Sequence, residues 1–328
     1  MYMSKVYRFV FIAIVMAIFA GCSAPKPETK PLWYTSPPQD YQFFYATGSG
    51  ETLKKAKNKA ISSLRNQLIT KLDAEFAKPL HPLGTISKIN VSKILKENTK
   101  FIKSLPLRDI QIDKSTNFKG RFLVLIKMEK KSFFEKIEDI SNPKFEAVVK
   151  KYESLQNEIA IKRFSGLNRL LQEYPILATY TQLKKTTLTT YRVTKEFAFL
   201  KKMNDEYNDL KKRLSFYLLS DGNSKVFAKY IKRAIKKEGL KISKTPSSKD
   251  SLKLIVKSVT TDSQEYSFMK SSTLIKLSTY DMNKKRISFR QHTFIGKSRK
   301  SHKEAKDQSA IHLNGKIKKL GFYDFIGL

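Results

Sequence analysis

The apolar positions of this chain repeat with a helical period in some stretches and alternate in others. Over Leu53–Phe76 they recur every three or four residues, which predicts one long amphipathic helix that ends before Pro79. Asn142-Pro143 predicts a break in the chain, and the Thr-rich segment 180–191 fits neither pattern clearly. The helical spacing recurs over 91–104, 131–140, 145–174, 197–214, 226–239 and 305–320.

Alternating polar and apolar residues predict strands between these helices. The strand segments are 41–47, 107–113, 120–128, 216–219, 252–260, 273–280 and 286–295. Asp281–Asn283 is typical of a hairpin turn between the last two, and Ser301 precedes Glu304 by the three residues of a capping box. The pattern predicts an α+β fold, with two helix-on-antiparallel-sheet domains joined by a mainly helical segment.

The apolar stretch Phe9–Cys22 is too short to span a bilayer comfortably as a permanent helix. Lys5 and Arg8 precede it, and the small pair Ala20–Gly21 stands directly before Cys22, the single cysteine. A positively charged N-terminal region, a short apolar core and small residues at the cleavage site are typical of a secretory signal peptide. An ordinary signal without lipidation, or an uncleaved anchor, is the alternative.

The end of this stretch resembles the lipobox of bacterial lipoproteins, although Phe19 stands where that family usually has Leu. The resemblance implies that the chain is cut before Cys22 and that the thiol is acylated. Two or three acyl chains on one cysteine anchor a protein durably in a membrane. Ser23 stands where an Asp would imply retention in the inner membrane, so the resemblance implies a lipid anchor in the outer membrane.

The sequence therefore predicts five consecutive segments. They are a signal peptide over 1–21, a Pro-rich tether over 22–31, an α+β domain over 32–142, a helical connector over 143–213 and a C-terminal α+β domain over 214–328. The tether holds three prolines among polar residues, which is typical of an extended, semi-rigid spacer.

Residues 20–140 resemble the Lpp-twenty outer-membrane lipoproteins, a family that includes flagellum-associated members. The matching features are Cys22, the entry from Pro31 to Pro38, the Tyr45–Gly50 segment, the helix with Ala56 and Ala60, and a later strand with Gly120, Arg121 and Val124. The resemblance implies a small domain with a helix packed on a sheet, a location at the outer membrane that faces either the cell surface or the periplasm, and no known catalysis. It says nothing about the second half of the chain.

The net charge of +35 would suit an anionic partner, and removal of Lys5 and Arg8 with the leader leaves +33. Only 12 of the 64 basic residues are Arg, and the Lys residues are spread along the chain. Dispersed lysine is not the footprint of a nucleic-acid reader, which usually favours the bidentate Arg fork. We therefore expect no nucleic-acid partner.

One candidate anion site comprises Gly48, Ser49 and Gly50 with the following Lys54 and Lys55. Free backbone N–H groups at a helix start favour an anion. The segment is neither a Walker loop nor a dinucleotide fingerprint, because the lysine and third glycine of those motifs are missing. The simpler interpretation is a tight turn that lets the strand and the helix pack closely, and the sequence favours it.

The remaining residues give no signature of catalysis. The four histidines lack metal-ligand spacing, no thiol cluster exists, and the acids Glu135, Glu138 and Asp139 stand on a Lys-rich helix. We expect no enzyme activity, no metal and no cofactor.

Two further features concern the second half of the chain. The apolar segment Phe322–Ile326 predicts either a docking tail or a final strand. The segment from Phe294 through Gly296 to Ala305 weakly resembles the segment from Ala46 through Gly48 to Ala56.

Taken together, these features predict an outer-membrane lipoprotein with a structural, scaffolding or assembly role. Its expected partners are the membrane, through acylated Cys22, and either other envelope proteins or further copies of the chain. The alternative function is a binding module for anionic envelope glycopolymers, either lipopolysaccharide or peptidoglycan, and it rests on the charge of the mature chain and on the helix start at Gly48–Gly50.

Overall fold

The chain forms two compact units. The computed structural model describes residues 29–78, 88–105, 107, 109–188, 190–245 and 250–328. Unit 1 comprises Met1–Gln67 and Leu107–Lys130, and unit 2 comprises Leu68–Pro106 and Lys131–Leu328. These units do not coincide with the predicted segments 32–142, 143–213 and 214–328. The predicted α+β class is confirmed, because each unit contains a sheet with a helix packed on it.

Unit 1 contains a three-stranded antiparallel sheet and the first part of a long helix. Its elements are α1 (Leu32–Thr35), β1 (Phe43–Gly50), the start of α2 (Leu53–Phe76), β2 (Gln111–Phe118) and β3 (Arg121–Glu129). The strand order is β1-β3-β2. Ala56, Ala60 and Leu64 on the predicted apolar face of α2 are fully buried. The division between the units falls inside α2, after Gln67.

Unit 2 begins with helices, continues with the strands of one sheet and ends with two further helices. After the end of α2, its helices are α3 (Lys88–Ser104), α4 (Lys130–Leu155), α5 (Ala160–Leu170), α6 (Tyr174–Thr187) and α7 (Thr194–Arg213). The remaining elements are β4 (Ser215–Ser220), a short 3-10 helix (Gly222–Ser224), α8 (Lys225–Lys237), β5 (Lys241–Ser243), β6 (Ser251–Glu265), β7 (Phe268–Tyr280), β8 (Arg286–Ser298), α9 (His302–Leu320) and α10 (Phe322–Ile326).

The five strands of unit 2 form one mixed sheet in the order β5-β4-β6-β7-β8. β4 pairs in parallel with both β5 and β6, whereas β6, β7 and β8 are antiparallel. The predicted antiparallel arrangement therefore holds in unit 2 for the three long strands and in unit 1 for the whole sheet. Phe164 of α5, Phe216 of β4 and Phe325 of α10 are fully buried in one hydrophobic core. The helices predicted as a connector thus share a core with this sheet.

Two local predictions are wrong, and one segment that the pattern left ambiguous is partly helical. Pro143 does not break the chain, because α4 continues through it and buries Ile137 on one side and Val148 on the other. The ambiguous Thr-rich segment begins inside α6, which starts at Tyr174 with a proline in its first turn, a position where proline costs no hydrogen bond. Phe322–Ile326 is neither a strand nor an exposed tail, since it forms α10 and buries its apolar side chains.

Candidate functional site

The predicted lipidation residue Cys22 and the neighbouring Ser23 lie outside the described residues. The described residues begin at residue 29, and the first element among them is α1, which lies against β3 in unit 1. Trp33 and Tyr34 of α1 are half-buried and form an edge-to-face pair, with 6.0 Å between ring centroids. These two rings therefore pack against each other in the first described helix of unit 1.

The predicted turn residues Gly48, Ser49 and Gly50 lie inside β1. This strand pairs with β3 along the whole length of β1. A Cβ atom built on Gly48 would lie 2.3 Å from the backbone nitrogen of Ala60 and 2.4 Å from the carbonyl oxygen of Ala56. These glycines therefore allow close packing of strand and helix, as predicted, but from within a strand and not from a turn. The extended pairing of β1 explains the difference.

The two lysines of the candidate anion site are exposed at the start of α2. The Lys55 ammonium group lies 2.6 Å from the Glu51 carboxylate, and its backbone N–H donates to the Thr52 hydroxyl. Thr52 thus satisfies one of the free N–H groups at the helix start. Anion binding by Gly48, Ser49, Gly50, Lys54 and Lys55 stays a prediction.

An open groove of about 630 Å³ runs along α7 in unit 2. Its carboxylates are already engaged: Glu206 accepts from the Tyr152 hydroxyl at 2.6 Å and from an Arg163 N–H at 3.0 Å. Asp205 pairs with Lys201 one helical turn away. The groove is therefore lined by satisfied hydrogen bonds and ion pairs rather than by a free acid and base.

The Tyr152 hydroxyl is held as a hydrogen-bond donor. Burial, together with its bond to the Glu206 carboxylate, raises the pKa of Tyr152 to about 12. The phenol therefore stays protonated at neutral pH and serves to orient the carboxylate. Lys202 lies 5.6 Å from the centre of the Tyr152 ring, which covers the ring with a cation. This arrangement ties α4, α5 and α7 together and offers no nucleophile.

A buried histidine is a feature that the sequence pattern did not single out. His292 of β8 is 9% exposed, stacks on the Phe325 ring at 4.5 Å and lies 2.8 Å from the Phe325 carbonyl oxygen. Burial is the main cause that lowers the pKa of His292. The hydrogen bond to the Phe325 carbonyl opposes this shift, and the nearby charges of Lys316 and Arg290 lower the pKa further. The sequence did contain a signal for this burial. Buried and exposed side chains alternate along most of β8, and His292 stands at one of the even-numbered positions that face the core. His302 and His312 lie on α9, and His81 lies outside the described residues.

We expect His292 to make folding stability depend on pH. The imidazole has a lower pKa in the folded chain than the ordinary value of about 6.5 in the unfolded chain, so protonation favours unfolding. The stabilisation is present above pH 6.5 and is lost as the pH falls through the folded pKa. Urea unfolding of the wild type and of His292→Gln should therefore diverge below pH 6.5, with the wild type losing more stability. Parallel pH profiles would contradict the assignment.

Within the part of the chain that the structure describes, no group of three His, Cys, Asp or Glu side chains is placed to hold a metal ion. Among the same residues, no helix combines the length and the apolar character needed to cross a membrane.

Comparison with known proteins gives distant likenesses to solved structures. No family model matches the chain, and no curated protein matches its sequence. The chain is similar to the structure of a minor lipoprotein from Acinetobacter baumannii, with 12% identity and a TM-score of 0.26, over 32% of this chain and 92% of that one. It is also similar to that of a secreted protein from Helicobacter pylori, with 15% identity and a TM-score of 0.33, over 85% and 98%. At these values neither likeness identifies a family or a function, and membership of the Lpp-twenty family stays a prediction.

Proposed function

We propose that this protein is a lipid-anchored bacterial envelope protein that acts by binding or scaffolding. The observation that carries the proposal is the sequence Phe9–Cys22, which combines a signal-type apolar core with a cysteine directly after Ala-Gly. Acylation of that cysteine would hold the two folded units at a membrane surface. The fully engaged carboxylates of the α7 groove favour a binding role over catalysis.

The finer assignment places the anchor in the outer membrane, with the folded units facing the periplasm. Ser23 supports the outer membrane, because it stands where an Asp would favour retention in the inner membrane. The resemblance to the Lpp-twenty lipoproteins supports a role in assembling an envelope structure such as the flagellar base. The partners in that role would be other envelope proteins or further copies of this chain.

The test is an intact-mass measurement of the protein extracted from membranes. The expected mass lacks residues 1–21 and includes acyl groups, and Cys22→Ser should show neither change because the modified thiol is gone. A wild-type chain that keeps its leader and carries no added mass would overturn the lipid anchor. A processed chain without acyl groups would leave an exported protein but remove the anchor.

A further inference from the structure

Three antiparallel strands of unit 2 present a broad surface of side chains. In β6 the even-numbered residues from Leu252 to Ser258 are buried, so the odd-numbered ones point away from the core. We define the outer face as the odd-numbered residues of β6 from Lys253 to Thr261, with the residues of β7 and β8 that pair opposite them. Helices α9 and α10 contact β7 and β8 on the opposite side, where Gly296 and His292 are buried.

Cationic residues occupy the middle of the outer face without a counter-charge. Lys257 pairs directly opposite Lys276, and both side chains are exposed. Like charges opposite each other on neighbouring strands destabilise a sheet. Among the described residues, neither lysine forms an ion pair with a carboxylate. The nearby Glu265 lies beyond the end of the face and is bound by Lys270 and Lys297. An external anion would relieve the repulsion at the centre.

Apolar residues lie between the cationic positions. Val259 is 60% exposed and pairs with half-buried Leu274 in the row after the two lysines. Phe289 and Ile295 of β8 are 42% and 45% exposed on the same side of the sheet. Single exposed apolar residues are ordinary, but here they recur across three strands, and in β6 they alternate with lysine. The outer face is therefore both apolar and positively charged.

The combination of positive charge and apolar surface determines which kind of partner the outer face can bind. A second copy of the chain would bring Lys257 and Lys276 against their own like charges, which disfavours self-association through this face. A purely polar polyanion would satisfy the lysines but leave Val259 and Phe289 in water. The headgroup region of an anionic bilayer supplies phosphates for the lysines and an apolar layer for the other side chains.

We propose that the outer face docks on the anionic headgroup surface of a lipid bilayer. Lys257 and Lys276 lie at lipid phosphates, and Val259, Phe289 and Ile295 enter the interfacial layer. The proposal adds a second membrane contact to the proposed function, since an acylated Cys22 would already keep the chain beside a bilayer. The chemistry of the face itself does not require the acyl anchor, so each can fail alone.

Vesicle co-sedimentation tests the face without the anchor. A chain that begins at residue 22 with Cys22→Ser has no leader and no thiol, and it keeps every residue that the structure describes. We expect it to bind vesicles of phosphatidylcholine with phosphatidylglycerol and not vesicles of phosphatidylcholine alone. Absence of binding to the anionic vesicles would overturn the docking proposal, whereas the intact-mass result on Cys22 would stand unchanged.

A matched pair of triple variants tests whether vesicle binding depends on the outer face or only on the net positive charge of the chain. Each lysine at a membrane surface contributes about a fivefold change in affinity, so replacing Lys253, Lys257 and Lys276 by Gln should weaken binding on the order of 100-fold. Replacing the exposed lysines 229, 232 and 236 of α8 by Gln removes the same charge from a helix that contacts α9, and it leaves the outer face unchanged. Equal losses in the two variants would overturn the assignment.

A third variant distinguishes a bilayer from a polyanion. Val259→Ser combined with Phe289→Ser keeps every charge, and it should still weaken binding to anionic vesicles several-fold because less apolar surface is inserted. Wild-type binding by this variant, or equally tight binding of the parent chain to lipid-free polysaccharide from lipopolysaccharide, would assign the face to an anionic glycopolymer instead. A thermal unfolding curve of each variant shows that the fold is retained.

Discussion

Replacing Gly296 by Ala should destabilise unit 2 by about 3 kcal/mol, at the upper end of the usual cost of overpacking. Gly296 lies in β8 where the strand passes directly over α9. An added Cβ would lie 1.8 Å from the carbonyl oxygen of Ala305 and 2.7 Å from the backbone nitrogen of Ser309. Both atoms belong to the helix backbone, so the methyl group can fit only if the whole helix moves away from the sheet.

The same helix provides a control of opposite sign. Gly315 of α9 has no atom within 4 Å of an added Cβ, so Gly315→Ala should stabilise the helix by about 1 kcal/mol. Urea unfolding followed by circular dichroism measures both changes. Equal effects of Gly296→Ala and Gly315→Ala would show that β8 does not depend on its close approach to α9.

The weak sequence echo between the two halves has a physical basis in these contacts. In unit 1, Gly48 of β1 lies over Ala56 and Ala60 of the next helix. In unit 2, Gly296 of β8 lies over Ala305 and Ser309 in the same way. Small residues four apart on a helix, opposite a strand glycine, allow the two backbones to approach closely. The sequence could predict the pairing of glycine with a small-residue face, but it could not show that the glycines belong to strands.

The helix boundaries show where local signals were sufficient. The period of the apolar residues predicted α2 over Leu53–Phe76, and the structure has the same bounds. The spacing of Ser301 and Glu304 predicted the start of α9, where the Ser301 hydroxyl accepts a hydrogen bond from the Glu304 N–H. At Pro143 the local signal failed. An interior proline costs a helix about 3 kcal/mol, but burial of aromatic and aliphatic side chains on both sides of it outweighs that cost. Burial of that kind depends on tertiary partners that the sequence pattern does not reveal.

The outer face was predictable only in part. Alternation located the centres of β6, β7 and β8, including the lysines and the apolar residues that alternate with them. The pairing of Lys257 with Lys276 depends on the register of the β6–β7 hairpin, whose two-residue turn contains Tyr266 with φ of 56° and no glycine. The sequence between 260 and 273 is mostly polar and lacks the usual turn residues, so the alternating pattern did not extend the two predicted strands to this turn. The charge concentration on one face therefore became visible only in the folded chain.

Phe325→Ala should cost about 4 kcal/mol of unfolding free energy, since truncation of a buried Phe removes apolar burial and leaves a cavity. The Phe325 side chain is fully buried in α10 and stacks on His292. The short helix is otherwise fastened to β8 by hydrogen bonds from His292 and from Ser288 to carbonyl oxygens of α10. Losing the ring removes the packing that holds those bonds out of water, so the helix and the sheet edge should loosen together.

The neighbouring residue gives the matched control. Asp324 pairs with Arg169 on the surface, where both side chains are more than half exposed, so Asp324→Asn should change stability by at most about 1 kcal/mol. Chemical denaturation measures both variants, and amide exchange along β8 shows whether the strand becomes more accessible in Phe325→Ala. If the two substitutions cost the same, then α10 is a surface appendage and the apolar end of the chain is free to bind a partner. A large loss confined to Phe325→Ala means that those aromatic residues are committed to the core.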